Sequence, residues 1–348
     1  MKQLSKSTFK QMASFAVAAI LMAGAAARTL QATEWKAIAG AESPDRGSQA
    51  LAFLPNEFWI HAGDSIRWSF ATHERHSLTL LTPGQTRPPG FGPTFGVPVG
   101  CPGLTPDGSS FDGTSCVTTG ILLLDENAGP TASPLTYSVS FPAAGNFKFV
   151  CLVHADMTGV VHVLNAFATL PHDQAFYDQQ AQNQRARLFR DAARPEAGGN
   201  EVSAQSNKVA AGLGVIVTPT GVGSQTASLM RFVRATIIVQ VGDTVEWTNL
   251  DPSINHTVTF GTEPADPRPP SSNLMPPATD GARQAIISSP TDSVNSGFLT
   301  PTPQDRSNLA QASPNVTRFR VTFTAPGIFN YICAVHDQLG MKGTVVVH

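Results

Sequence analysis

The sequence predicts an all-β protein, two tandem β-sandwiches joined by a helical linker. Three observations carry this. Ser65-Ile66-Arg67-Trp68-Ser69-Phe70 and Thr244-Val245-Glu246-Trp247 alternate polar and apolar at period two, as half-buried strands of an antiparallel sheet do. The chain repeats itself at an offset near 180 residues, far too long a period for a solenoid and suited to a duplicated domain. Its 29 glycines and 27 prolines punctuate short strands with turns. With 348 residues, two domains is also the number that length alone favours.

The chain opens with a leader. Lys2, Lys6 and Lys10 precede an almost unbroken apolar run over 13–27, shorter than the ~20 residues a membrane-spanning helix needs. Ala25-Ala26-Ala27 and Leu30-Gln31-Ala32 offer small-residue cleavage sites, so residues 1–32 read as a Sec-type signal peptide. No cysteine follows the run and no Arg-Arg pair precedes it, which speaks against lipid anchoring and a twin-arginine route. The expectation is a periplasmic or secreted protein with no membrane span once the leader is removed, in a compartment where disulfides persist. Removing residues 1–27 takes away three lysines and no acid, so the formal charge of −2 becomes −5. Only 14% of residues are charged and there is no basic surplus, which excludes a nucleic-acid binder living on phosphate contacts. The 41% of apolar residues excludes a disordered acidic chain.

The repeat defines the domains. FLPNEFWIHAGDSIRWSF lies over FVRATIIVQVGDTVEWTNL, matching Phe53 with Phe232, Gly63-Asp64 with Gly242-Asp243 and Trp68 with Trp247. ERHSLTL then lies over INHTVTF, matching His76 with His256. Further on, Phe141, Gly145, Phe147, Cys151 and His154 match Phe323, Gly327, Phe329, Cys333 and His336. The first domain is expected over 33–165, a linker over 166–207 and the second domain over 208–348. Within the linker, Pro171 suits a first helical turn, Gly198-Gly199 suits a stop, and Ala, Gln and Arg favour helix between them. Residues 171–193 are therefore expected as one helix with a thin apolar face (Phe176, Leu188, Phe189), a linker that leaves the packing of the two domains open.

Each copy carries a histidine, much later a Cys-x-x-His, and a methionine shortly after. In copy one these are His76, Cys151, His154 and Met157; in copy two, His256, Cys333, His336 and Met341. Two imidazoles and a thiolate in a plane, with a weak axial thioether, form the ligand set of a blue-copper electron-transfer site. The soft sulfur ligands suit Cu(I), and imidazole also suits Cu(II). A lone Cys-x-x-His would fit a buried structural pair or part of a zinc site, but zinc usually takes a stronger fourth ligand than methionine. A four-ligand pattern recurring in register, each time behind an Ala-x-Gly turn and a Phe-x-x-x-Cys strand, points to copper in both copies.

On these residues both halves resemble the cupredoxins, the plastocyanin/azurin family of type 1 copper proteins, over about residues 34–165 and 208–348. The Cys-x-x-His-x-x-x-x-Met of copy two is similar to the plastocyanin loop, and the shorter Cys-x-x-His-x-x-Met of copy one to the amicyanin loop. The resemblance implies a Greek-key β-sandwich in each half, one copper per half and one-electron transfer with redox protein partners. It implies that His154 and His336 reach the surface as electron ports, and that the backbone of Ser77 and Thr257 braces the thiolates. One departure stands out: 75 and 77 residues separate the strand His from the Cys, so each copy carries a large insertion.

The first insertion holds Cys101 and Cys116, the two cysteines outside the ligand sets, and they are expected to form a disulfide. Its Phe91, Phe95 and Phe111 are read as packing the loop down rather than as a docking surface. The second insertion, near 262–312, has no cysteine and must be held by packing. Of the other histidines, His73 is expected on the surface, His61 and His162 align with Gln240 and Val346, and His172 and His348 lie in the linker and at the terminus. The sequons at Asn255 and Asn315 are read as chance.

These residues predict a two-centre type 1 copper electron carrier with no catalytic residues. A copper storage or delivery protein is the alternative; a two-domain copper oxidase or nitrite reductase is less favoured. Such enzymes resemble this chain in their tandem domains, but they need extra histidines. Val150 and Leu152 flank Cys151, Ile332 and Ala334 flank Cys333, and His-x-His occurs nowhere.

Overall fold

The computed structural model describes residues 31–87, 101–124, 133–193, 207–217, 223–301 and 316–348. The leader run, Phe91, Phe95, Gly198-Gly199 and the Asn315 sequon lie outside the described residues.

Copy one is built from β1 (Glu34–Glu42), β2 (Ser48–Leu54), β3 (Glu57–His61), β4 (Ser65–Phe70), β5 (Thr79–Leu80), β6 (Ser109–Ser110), β7 (Val117–Thr118), β8 (Leu135–Ser140), β9 (Gly145–Val150) and β10 (Thr158–Leu164). A helix, α1 (Gln174–Ala192), follows. Copy two repeats the series as β11 (Lys208–Val217), β12 (Gln225–Val233), β13 (Thr236–Val239), β14 (Thr244–Leu250), β15 (Thr259–Phe260), β16 (Arg283–Ile287), β17 (Val294–Asn295), β18 (Arg318–Phe323), β19 (Gly327–Ile332) and β20 (Lys342–Val347).

The two copies share one strand order. Copy one has a sheet β2-β1-β4-β8-β6 facing a sheet β3-β10-β9-β5-β7, and copy two has β12-β11-β14-β18-β16 facing β13-β20-β19-β15-β17. Each sandwich closes over its own aromatic core. Trp68, Phe53, Phe149 and Phe141 lie in the first, and Trp247, Phe260, Phe319 and Tyr331 in the second. The alternation read in the sequence is the observed burial: Ile66, Trp68 and Phe70 point inward while Arg67 faces solvent.

The sandwiches are not joined by a free linker. Strand β2 pairs antiparallel with β12, Leu51 opposite Thr226 and Ala50 opposite Ala227, so that the two first sheets form one continuous ten-stranded sheet. Helix α1 lies across this seam. Its buried face is Tyr177, Ala181, Gln184, Leu188 and Ala192, spaced at three to four residues as one helical stripe requires. Ala181, Leu188 and Ala192 pack on Ala50, Ala52, Leu54 and Ala227, taken from both copies. Of the expected face of Phe176, Leu188 and Phe189, Leu188 is fully buried and Phe189 packs against the same cluster, while Phe176 is corrected to an exposed position. The small side chains of the stripe allow close approach to the sheet, which is why it reads as thin in the sequence. The start is also corrected. Asp173 is the N-cap, its carboxylate accepting from Phe176 N–H at 2.9 Å, and Pro171 precedes it.

Both insertions are tied to the sandwiches. Cys101 and Cys116 form the expected disulfide, and Phe111 is buried edge-on against Phe147 and Phe141. The second insertion contributes β16, parallel to β18, and Arg283 donates to the carbonyls of Ser296 and Phe298.

Candidate metal centres

Three side chains converge at the same end of each core. In copy one they are His76, Cys151 and His154, and in copy two His256, Cys333 and His336; within each set the candidate ligand atoms lie within 4.8 Å of one another, and all six residues are buried. Cys151 follows the last residue of β9, and Cys333 the last of β19, so the sheet fixes each thiol. The strand histidines sit just before β5 and β15, where each pairs its backbone with the far end of an insertion. His76 exchanges hydrogen bonds with Leu122, and His256 with Leu299.

The copy-two set is a tight triangle. Cys333 Sγ lies 3.4 Å from His336 Nδ1 and 3.8 Å from His256 Nδ1, and the two Nδ1 atoms are 3.2 Å apart. In copy one, Cys151 Sγ lies 3.6 Å from His154 Nδ1. The loop then turns back, since Cys151 N–H donates to Met157 O at 2.9 Å and Cys333 N–H to Met341 O at 3.0 Å. Both methionines are fully buried.

The sulfurs are braced as expected. Ser77 N–H lies 3.4 Å from Cys151 Sγ, and Thr257 N–H lies 3.3 Å from Cys333 Sγ. The same two residues hold the loops, because their hydroxyls accept from Leu152 N–H and Ala334 N–H, each at 2.8 Å. Burial alone would raise both thiols, but the imidazoles outweigh it. His154 and His76 hold Cys151, and His336 and His256 hold Cys333, well below the usual thiol range. A thiolate is the form that binds a metal.

Two glycines complete the pockets, and the sequence reading missed them. Gly40 and Gly212 sit at matching β-bulges, with φ of +75° and +79°, where β1 and β11 break register. A Cβ there would stand 2.1 Å from His76 Nε2 and 2.2 Å from His256 Nε2. Each strand histidine therefore packs the Nε2 corner of its ring against a glycine. No hydrogen-bond partner is found for either ring nitrogen of His76, or for His256 Nε2, among the described residues.

Two expectations are overturned here. His154 and His336 do not reach the surface; they are 0% and 3% exposed. Both turn Nε2 toward one buried carboxylate, Glu74. Its Oε1 lies 3.4 Å from His154 Nε2 and its Oε2 lies 3.5 Å from His336 Nε2. Burial would raise the Glu74 carboxyl, but His154, His336 and His76 together hold it down at about 2. His154 is pushed up to about 9: burial lowers it, and Cys151 and Glu74 prevail. His73, expected on the surface, is buried, with Nδ1 2.7 Å from Glu42 Oε1 and its N–H donating to Glu42 Oε2. Nothing near His73 along the chain announces Glu42, 31 residues away, which takes both its ring and its backbone N–H.

Other histidines have structural partners. His61 Nε2 lies 2.7 Å from Ala168 O, His162 bridges Asn146 and Glu57, and His172 stacks on Phe176.

Residues 219–348 match the family described as copper binding proteins, plastocyanin/azurin family. No curated protein matches the chain. Among solved structures, oxidised plastocyanin from the fern Dryopteris crassirhizoma is similar at 22% identity over 40% of this chain and 99% of that one, with a TM-score of 0.22. Amicyanin from Paracoccus versutus is similar at 16% identity over 43% and 87%, with a TM-score of 0.22. Reduced auracyanin from Roseiflexus castenholzii is similar at 19% identity over 38% and 98%, with a TM-score of 0.25.

Proposed function

We propose, for a chain whose residues 219–348 belong to the plastocyanin/azurin family of copper binding proteins, that it is an exported electron carrier with two type 1 copper centres. The observation that supports this most directly is the duplicated, dry convergence of one thiolate and two imidazoles. The donor set fits the ion. The edges of 3.2 to 3.8 Å around copy two are roughly those that bonds of about 2.0 Å to nitrogen and about 2.3 Å to sulfur set around one trigonal ion. A cation would also satisfy His76, whose buried ring nitrogens otherwise have no partner among the described residues. His76, Cys151 and His154 would hold one copper and His256, Cys333 and His336 the other, and the buried Met157 and Met341 of the same loops would complete the two sets. Copper bound there supplies a one-electron couple.

The chain's own residues supply the rest. The sheets and the two bulge glycines hold the imidazoles in place, and the N–H groups of Ser77 and Thr257 hold the sulfurs. Burial excludes water from both sets. A rigid site that changes little between oxidation states suits electron transfer more than metal exchange, which favours a carrier over a storage protein. Export rests on Lys2, Lys6, Lys10 and the apolar run 13–27, and the Cys101–Cys116 disulfide suits an oxidising compartment. Among the described residues no helix is long and apolar enough to cross a membrane. The partners are redox proteins of unassigned identity.

The test is metal analysis with visible absorption on Cys151→Ser and Cys333→Ser. Each substitution should remove one copper and its share of the thiolate-to-copper band. If neither does, the reading is wrong. Stopped-flow reoxidation with and without nitrite or oxygen separates carrier from enzyme, since turnover of either substrate would sink the carrier.

A further inference from the structure

Among the described residues, Glu74 is the carboxylate that pairs with a ligand histidine of each copy. It belongs to copy one, yet it faces equivalent atoms of both copies at nearly equal distance, 3.4 Å to His154 Nε2 and 3.5 Å to His336 Nε2. Those histidines present Nδ1 to the sulfurs, 3.6 Å from Cys151 and 3.4 Å from Cys333. The result is an unbroken file of side chains, Cys151, His154, Glu74, His336 and Cys333. Glu74 and both rings are nearly inaccessible, at 4% or less side-chain exposure. A buried carboxylate is costly unless it is paired, and here its two oxygens are divided between two rings rather than spent on one. A single pairing would satisfy the charge; the division between two centres is what calls for an account. A second contact between the site loops, Ser253 Oγ donating to Asp156 Oδ2 at 3.2 Å, includes no ligand side chain.

We propose that Glu74 is the bridge through which an electron passes between the two centres, so that the chain works as one coupled two-electron unit rather than as two independent carriers. This rests on the two-centre reading above. One electron leaves the reduced centre and arrives at the oxidised one. No bond forms or breaks, no proton leaves the bridge, and the electron count of the chain is unchanged. An external one-electron donor supplies the first electron. The file favours this path because only two through-space gaps, 3.4 and 3.5 Å long, separate the carboxylate from the two rings, and all three groups are nearly inaccessible to solvent. Glu74 is a positioning residue in this scheme, acting through the two ligand histidines.

The experiment uses the full chain loaded with copper. Met341→Gln replaces the thioether of the copy-two set and would so separate its band and potential from those of copy one. In that background a pulse of reductant places one electron per molecule, and the two bands are followed as the electron redistributes. The expected result is a first-order phase whose rate does not depend on protein concentration. Glu74→Gln keeps the side chain's volume but replaces one carboxylate oxygen with an amide nitrogen, and Glu74→Leu removes both polar contacts. The phase should slow by roughly 10–100-fold, more in Glu74→Leu than in Glu74→Gln, while both bands persist. An unchanged rate in Glu74→Leu overturns the bridge. So does redistribution that is purely bimolecular in the chain with Glu74 intact, whatever the variants do. Two bands without a first-order phase leave the carrier reading standing and remove this one; a chain that shows a single thiolate-to-copper band overturns both.

Discussion

Gly212 offers a sharp test of how the strand histidine is held. Its φ of +79° belongs to the left-handed region, and a Cβ would meet His256 Nε2 at 2.2 Å, Cδ2 at 2.7 Å and Cε1 at 3.0 Å. Gly212→Ala therefore carries two costs, about 1–2 kcal/mol for placing a Cβ in that backbone conformation and about 1–3 kcal/mol for overpacking a buried ring. Gly242 supplies the control. Its φ is +94° and a Cβ there would meet nothing within 4 Å, so Gly242→Ala carries the backbone cost alone. Both substitutions shorten the list of unfolded conformations alike, and that effect cancels between them. The difference in unfolding free energy of the metal-free variants should thus be about 1–3 kcal/mol, with Gly212→Ala the less stable. Urea unfolding measures it. In the copper-loaded chain Gly212→Ala should also lose or shift the copy-two share of the visible band, because His256 must tilt away from Cys333, while Gly242→Ala leaves the spectrum intact. If the two variants unfold at the same denaturant concentration and share one spectrum, the glycine does not seat the histidine.

Three further outcomes follow from the packing and the charges. Leu188→Ala, which empties a fully buried site between α1 and the seam, should cost about 2–5 kcal/mol in equilibrium unfolding, against no measurable loss for exposed Phe176→Ala. Replacing Cys101 and Cys116 together by serine opens a loop of 15 residues and should cost about 3 kcal/mol, read as a shift of the urea midpoint that reducing agent reproduces in the unmodified chain. Metal-free protein should lose stability as pH falls: Glu74 sits at about 2 against an ordinary 4.5, so the unfolded chain takes up the extra proton as pH falls through that window. Denaturation across the scale checks this, and Glu74→Gln should flatten the acid limb.

What could be read from the sequence was whatever lies close together along the chain or repeats in register. Cys333, His336 and Met341 share one short loop, and Ser77 and Thr257 each follow a matched histidine, so motif and alignment placed them together. The alternation of Ser65–Phe70 likewise needs only its own neighbours to be interpreted. Gly40 and Gly212 escaped because they align at an offset of 172 rather than near 180; the hairpin between the first two strands differs in length between the copies. Glu74 escaped for a different reason. Its role depends on His336, which lies 262 residues away and comes from another domain. The fused sheet did leave a trace. Ala50-Leu51-Ala52-Phe53-Leu54 is apolar at every position, the pattern of a strand covered on both faces, whereas a free sandwich edge would alternate. The second cover is α1.

The seam explains why the two centres meet at one carboxylate. Phe53 and Phe232 set the local offset between copies at 179, which makes Gln49 the counterpart of Ser228, and these two residues lie directly opposite each other in the β2–β12 pairing. Two equivalent strands paired antiparallel about their own equivalent residues obey a two-fold relation, as in an isologous dimer, here within a single chain. Under such symmetry whatever copy one presents to the axis copy two presents as well, so His154 and His336 arrive as a pair, each with Nε2 facing inward. Glu74 breaks the symmetry. Its counterpart, two residues before His256, is Ile254, which is buried with Leu51, Met230 and Leu339. A glutamate at both positions would press two carboxylates into one dry space, and one of them would have to take up a proton. A single carboxylate with two oxygens matches two rings with one outward nitrogen each. The same geometry removes both loop histidines from solvent, so an external partner cannot dock on either of them directly. For the carrier proposed above, electrons then enter through another part of the surface, with the other half's ligand ring one carboxylate away.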